Sequence, residues 1–218
     1  MNEELVKNRD YWNKEVENFD SIYSHKKFKL SNYLDKIFRW DMYERFNYTI
    51  EKSKPIQGKT FLDVGCGTGI YSIRLAKEGA SEVVGIDVSD NMIKICNERA
   101  EKDNVGGLCK FYLSDLTQFK TEKKFNVVFG IGLFDYIKEP LEVVKKMHEV
   151  SDNRIIASFP RSGTWRAIVR KIRLAIKGCP VYFYSRKKLD KLLIDAGFNK
   201  YELEVIGQLF CITAFVNN

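Results

Sequence analysis

The stretch TFLDVGCGTGI, residues 60–70, decides how this chain is read. Its first five residues are apolar or β-branched except Asp63, the pattern of a buried strand. Gly65, Gly67 and Gly69 follow at alternate positions, and IYSIRLAKEG (70–79) then takes up helical spacing. A glycine-rich turn between strand and helix lets bare backbone approach a ligand, with the N–H groups of the helix start facing it. A triphosphate-binding loop needs G-x-x-x-x-G-K-[ST], but Ile70 and Tyr71 follow Gly69 and no lysine is in place. The dinucleotide fingerprint G-x-G-x-x-G sets its third glycine one position later than Gly69, which would alter the pyrophosphate turn.

Strand and helix patterns alternate downstream. EVVGIDVS (82–89) reads as a second strand and DNMIKICNERAEKD (90–103) as a helix capped by Ser89 or Asp90. GLCKFYLSD (107–115), FNVVFGIGL (125–133) and RIIASFP (154–160) read as further strands. EPLEVVKKMHEV (139–150) is a helix with Pro140 in its first turn, and SRKKLDKLLIDAGF (185–198) a helix closing on Gly197. KYELEVIGQLFCITAFVNN (200–218) reads as two strands joined near Gly207 and Gln208. Such alternation predicts an α/β fold: a three-layer, doubly wound, seven-stranded sheet with an antiparallel C-terminal hairpin at one edge. Residues 1–54 are aromatic-rich with helical spacing and form a predicted N-terminal helical lid, closed off by KPIQGK (54–59). Residues 55–218 form the predicted ligand-binding domain, with 161–186 inserted on its substrate side.

The 218 residues, 44% hydrophobic, suffice for one core. No apolar run reaches the ~18 residues of a membrane span, and MNEELVKNRD lacks the layout of a signal peptide, so a cytoplasmic protein is expected. Five cysteines, Cys66, Cys96, Cys109, Cys179 and Cys211, include no C-x-x-C pair, so packed thiols are expected in place of disulfides or a metal site. The net charge of +7 admits an anionic partner: a phosphorylated substrate, a membrane surface or nucleic acid.

Four elements in order, LDVGCGTG (62–69), VVGIDVS (83–89), LSDL (113–116) and FNVVFGIGLFDYI (125–137), resemble the class I S-adenosylmethionine-dependent methyltransferases, which have a Rossmann-like fold. The resemblance implies S-adenosylmethionine as cofactor. It implies that Gly65, Cys66, Gly67 and Gly69 form the loop against the cofactor and that Asp63 orients that loop or meets the amino group. Asp87, 24 residues beyond Asp63, can accept from both ribose hydroxyls, or it can cap the following helix. Asp115 and the Leu116 N–H are implied at the adenine, Met92 on its face or in the core, and carbonyls of Gly130 or Ile131 near the ammonium or sulfonium. No metal is implied. The stretch GIGLFDYIKEP (130–140) departs from the Asn/Asp-Pro-Pro-Tyr/Phe motif of base-amino methyltransferases, which argues against nucleic acid as acceptor. IIASFP (155–160) and YFYSRKKLDKLLIDAGF (182–198) loosely resemble the magnesium-protoporphyrin O-methyltransferases.

The acceptor is expected to be a small molecule, lipid-, glycan- or tetrapyrrole-like, methylated on oxygen or nitrogen. RNA or protein methylation, or a non-catalytic cofactor-binding role, remain alternatives. For the acceptor side, Asp135 is the first candidate as a base or amine anchor, followed by Tyr23 and His25 in the lid; His148 is expected on an exposed helix face. In residues 164–177, Trp165, Ile168, Val169, Ile172, Ala175 and Ile176 share one helical face, while Arg166, Arg170, Arg173 and Lys177 share the other. Such a helix packs its apolar face on the domain and solvates its basic face, covers a hydrophobic or anionic substrate, or lies peripherally on the inner face of a membrane. Tyr182 and Tyr184 suit an aromatic wall for the acceptor, or a core edge.

Overall fold

A computed structural model describes residues 6–14, 34–176 and 179–216. Tyr23 and His25 lie outside the described residues. The elements run α1 (6–14), α2 (Leu34–Lys52), β1 (Thr60–Val64), α3 (Ile70–Lys77), β2 (Glu82–Asp87), α4 (Asp90–Lys102), β3 (Cys109–Leu113), β4 (Phe125–Gly130), α5 (Leu141–Glu149), β5 (Ser151–Pro160), α6 (Trp165–Ile176), α7 (Arg186–Asp195), β6 (Lys200–Ile206) and β7 (Leu209–Phe215).

The seven strands make one sheet in the order β3-β2-β1-β4-β5-β7-β6. β1 to β5 pair in parallel, while β7 pairs antiparallel with both β5 and β6. The expected hairpin is therefore present, with β7 inserted and β6 at the edge. Parallel strands buried on both faces need near-continuous apolar sequence, and FNVVFG of β4 supplies it. Alternation then sorts the side chains. Leu62 and Val64 face a core built with α5 and α7, which includes Val144, Met147 and Leu193. Phe61 faces a second core built with α2, α3 and α4. Asp63 shares the parity of Phe61, so its carboxyl points toward α3.

Local signals hold where the sequence placed them. Ser89 caps α4 by accepting from Met92 N, Ser185 caps α7 by accepting from Lys188 N, and Pro140 opens α5. All five cysteines are buried thiols outside any disulfide. His148, expected on an exposed face, is instead half-buried edge-on against Phe198, with ring centroids 4.7 Å apart. Burial, followed by the nearby Lys124, lowers its pKa. Tyr184 is wholly buried, between a wall and a core edge in the sequence reading. Its hydroxyl donates to Phe134 O at 3.2 Å and its ring meets Phe159 edge-on, so it braces the segment after β4 from the core side. No helix among the described residues is long and apolar enough to cross a membrane.

α6 departs from its expected orientation. Val169, Ile172 and Ile176 are 55%, 58% and 83% exposed, whereas Ala167 and Leu174 are buried and Arg170 points inward. The expected packing of the aliphatic stripe on the domain is thus not found for these three residues. An ion pair provides the reason. Arg170 reaches the buried carboxylate of Asp135 in the segment after β4, and satisfying that carboxylate takes precedence over burying the stripe.

Candidate functional site

The carboxyl ends of β1, β2 and β4 meet at the place where the strand order reverses. At the β1 tip, Gly65 has φ +70°, and a Cβ there would stand 3.0 Å from Leu133 Cδ1. The backbone conformation thus strains any larger residue, and Leu133 would have to shift to admit its Cβ. The loop folds back on β2: Gly65 N and Cys66 N both donate to Ile86 O, at 2.8 and 3.0 Å. Gly67 N donates to Asp87 Oδ2 at 2.9 Å, and Ser89 N donates to Asp87 Oδ1 at 2.9 Å. Asp87 therefore ties the glycine loop to the start of α4 while part of its surface stays accessible. Burial pushes its pKa up to about 6, against the bonds from Ser89 and Gly67. Of the two roles weighed for it from sequence, the helix-start contact is the one seen, made through Ser89 N.

Asp63 is 2% exposed, and its Oδ2 accepts from Ser72 Oγ at 2.7 Å. Burial raises its pKa to about 7, opposed by Ser72 and aided by the negative charge of Asp87. On the other side of the loop, Cys96 Sγ donates to Gly67 O at 3.0 Å and lies 3.9 Å from Cys66 Sγ. Burial holds the Cys66 thiol well above its usual range, so it remains a neutral packing group. Met92 is buried in the first turn of α4, and Leu116 is buried in the core beyond β3. Asp115 is half-buried and turns the chain by accepting from Thr117 N at 2.9 Å and Thr117 Oγ1 at 2.8 Å.

The β4 tip forms the opposite wall. Gly130 ends the strand, and Ile131, half-buried, packs with the α2–α4 core. Gly132 N donates to Ser158 Oγ at 2.9 Å. Asp135 is 3% exposed; its Oδ2 pairs with Arg170 Nη2 at 2.5 Å, and the same guanidinium donates to Tyr136 Oη at 3.3 Å. Burial raises the pKa of the Tyr136 phenol despite Arg170, so it stays protonated.

α1 bridges these two walls. Asn13 donates to Asp90 Oδ1 at 2.8 Å and accepts from Ser89 Oγ at 2.5 Å, at the β2 tip. One turn back, Asn8 donates to Tyr136 O at 3.0 Å, and Trp12 meets the Tyr136 ring edge-on at 5.2 Å. α1 is thus fastened beside the β2 tip and to the segment after β4, the strands on either side of β1. Among the buried polar atoms without a hydrogen-bond partner among the described residues are Asn8 Oδ1 in α1, Thr68 Oγ1 in the glycine loop and Asp135 Oδ1 after β4. Such atoms are costly unless a ligand or water meets them.

The sequence reading missed Asn8, Asn13, Ser72 and Cys96, and it put Arg170 on a solvated face. The spacing of Arg170 from the buried Asp135 carries no local signal, and Asn8 and Asn13 look like ordinary helix-surface residues. Ser72 alone was within reach, since it starts the helix that strand parity sets opposite Asp63.

Residues 56–196 match a family described as a methyltransferase domain. The chain is 28% identical over 160 residues to the ubiquinone biosynthesis O-methyltransferase of Psychrobacter arcticus, covering 68% of this chain and 62% of that protein. It is 38% identical over 91 residues to the ribosomal protein L11 methyltransferase of Thermotoga petrophila, covering 42% and 33%. It therefore spans less than two thirds of each of these curated relatives. Its fold is similar to a crystal structure of magnesium protoporphyrin IX methyltransferase from Synechocystis PCC 6803 with bound S-adenosylhomocysteine: TM-score 0.80, 22% identity, covering 99% of this chain and 100% of that one.

Proposed function

The chain belongs to the methyltransferase domain family, and from that membership we propose that it binds S-adenosylmethionine at the β1 and β2 tips and methylates an oxygen or nitrogen of a small-molecule acceptor. One observation supports the reading: Asp87 Oδ2 accepts from Gly67 N at 2.9 Å, so the acid proposed for the ribose hydroxyls adjoins the bare-backbone loop. The cofactor, when bound, supplies a methyl group on a sulfonium, open to in-line displacement.

The residues divide the remaining work. The N–H groups at the start of α3 face the cofactor carboxylate. A cationic ammonium beside Asp63 draws its pKa back down and so favours binding to the ionised form. The accessible flank of Asp87 accepts from the ribose hydroxyls, and Asp115 with the Leu116 N–H meets the adenine. α1 excludes water above the loop. Asp135 has Oδ2 committed to Arg170, leaving Oδ1 to receive an O–H or N–H from the acceptor and aim its lone pair at the methyl. Tyr23 and His25 remain candidates for the lid side of the acceptor. Two of the three names, a ubiquinone biosynthesis O-methyltransferase and a magnesium protoporphyrin IX methyltransferase, favour a small acceptor, while the ribosomal protein L11 methyltransferase keeps a protein acceptor as the alternative.

Titration calorimetry tests this. S-adenosylhomocysteine binds the wild-type chain, NADH does not, and Asp87→Ala weakens the former about 10- to 150-fold through loss of charge-assisted bonds of about 1.5–3 kcal/mol. Binding of NADH, or an Asp87→Ala variant that binds as tightly as wild type, overturns the reading. Labelled methyl transferred from the cofactor then appears in an organic extract and not in precipitated RNA or protein.

A further inference from the structure

The charge of this chain is concentrated in one segment. Residues 161–189 hold nine of its 36 lysines and arginines and none of its 29 acids. The other 27 cations fall two short of the acids, so the whole excess of +7 comes from this segment. α6 lies within it, and α6 is the helix whose aliphatic stripe faces outward. Val169, Ile172 and Ile176, spaced three and four residues apart, are each more than half exposed, and Lys171 is exposed beside them. Arg166, Arg173 and Lys177 belong to the same segment. The first turn of α7 adds the exposed Lys187 and Lys188, beside Arg186, which is paired with Asp190 at 2.7 Å.

We propose that this face of α6 is a docking surface for an anionic lipid bilayer. The occupant must offer an apolar phase to three aliphatic side chains and negative charge around it. A bilayer bearing anionic headgroups offers both within the depth of one helix. A nucleic acid supplies the charge but no apolar phase for Ile172 and Ile176. The inward side of α6 keeps the surface in position, because Arg170 is bound to Asp135 and Tyr136 and Leu174 packs with Cys179 and Val181. The helix is thus anchored through one cation and presents its stripe on a firm base. Joined to the function proposed above, this sets the acceptor side of the site against the bilayer surface, which suits a lipid-soluble acceptor.

Vesicle flotation of the full chain tests the docking surface by itself, with calorimetry of S-adenosylhomocysteine run on the same samples so that failure of the methyltransferase reading is seen separately. The wild-type chain floats with vesicles containing about 30% phosphatidylglycerol, does not float with phosphatidylcholine alone, and is released by salt. An Ile172→Gln/Ile176→Gln variant loses flotation at least about tenfold while its melting temperature stays unchanged. Lys171→Glu with Lys187→Glu loses it as well. The proposal is overturned if the Gln variant floats as wild type does, since the binding is then that of a polyanion, which soluble heparin would reproduce. It is also overturned if the wild-type chain sediments as a dimer that the Gln variant dissociates, since the stripe then joins two copies.

Discussion

Replacing Asp63 by Asn offers a test of the site's electrostatics that can be worked from the structure. Asp63 sits 2% exposed beneath the glycine loop, with a pKa raised from 3.8 to about 7 by burial first and by the charge of Asp87 in part. The sign follows from proton counts. Between the two values the unfolded chain has released this proton while the folded chain still holds it, so stability falls as pH rises from about 4 to about 7. Above the folded value the full cost is in place. Linkage at about 1.4 kcal/mol per pKa unit gives a cost of roughly 2 kcal/mol at pH 5 and roughly 4 at pH 8. Asn keeps the shape and one acceptor for Ser72 Oγ but cannot titrate. Whatever Asn loses in hydrogen bonding is the same at both pH values, and the titration of Asp87 is common to both proteins to first order. The stability difference, Asn variant minus wild type, therefore grows by about 2–3 kcal/mol from pH 5 to pH 8. At about 2–4 °C per kcal/mol for a chain of this size, the gap in melting temperature widens by about 5–10 °C. Differential scanning fluorimetry on cofactor-free protein across this range measures it. A gap that does not change with pH, or an Asp63 carboxyl that titrates near 4 by NMR, refutes the reasoning.

Two further outcomes follow from the same geometry. Gly65→Ala pushes a Cβ to 3.0 Å from Leu133 Cδ1 at φ +70°, so it costs about 1–3 kcal/mol in urea unfolding and weakens S-adenosylhomocysteine binding in calorimetry. Arg170→Met leaves the buried Asp135 carboxylate without its cation and costs about 3–5 kcal/mol, whereas Arg170→Met with Asp135→Leu costs clearly less than the two single changes summed; additive values in a double-mutant cycle would show that the pair does not hold α6.

The fold and the glycine loop were legible in the chain because they depend on neighbours in sequence. Period-2 and period-3.6 apolar patterns, the Ser89 cap and the glycines of 65–69 all act within a few residues, and they led to the sheet and its hairpin. Even Asp63 and Asp87 were legible as a pair, since strands one crossover apart end side by side. The way the walls are tied together depends on distance in space alone. Asn13 meets Ser89 across 76 positions and Asn8 meets Tyr136 across 128, and no periodicity encodes such partners. α6 shows the contrast most clearly. Its sequence contains two faces of nearly equal claim, and a helix wheel assumes that the aliphatic face turns inward. One carboxylate, Asp135, already buried after β4, competes with that rule, because leaving it unpaired costs about 3–5 kcal/mol, as much as three aliphatic side chains left partly in water.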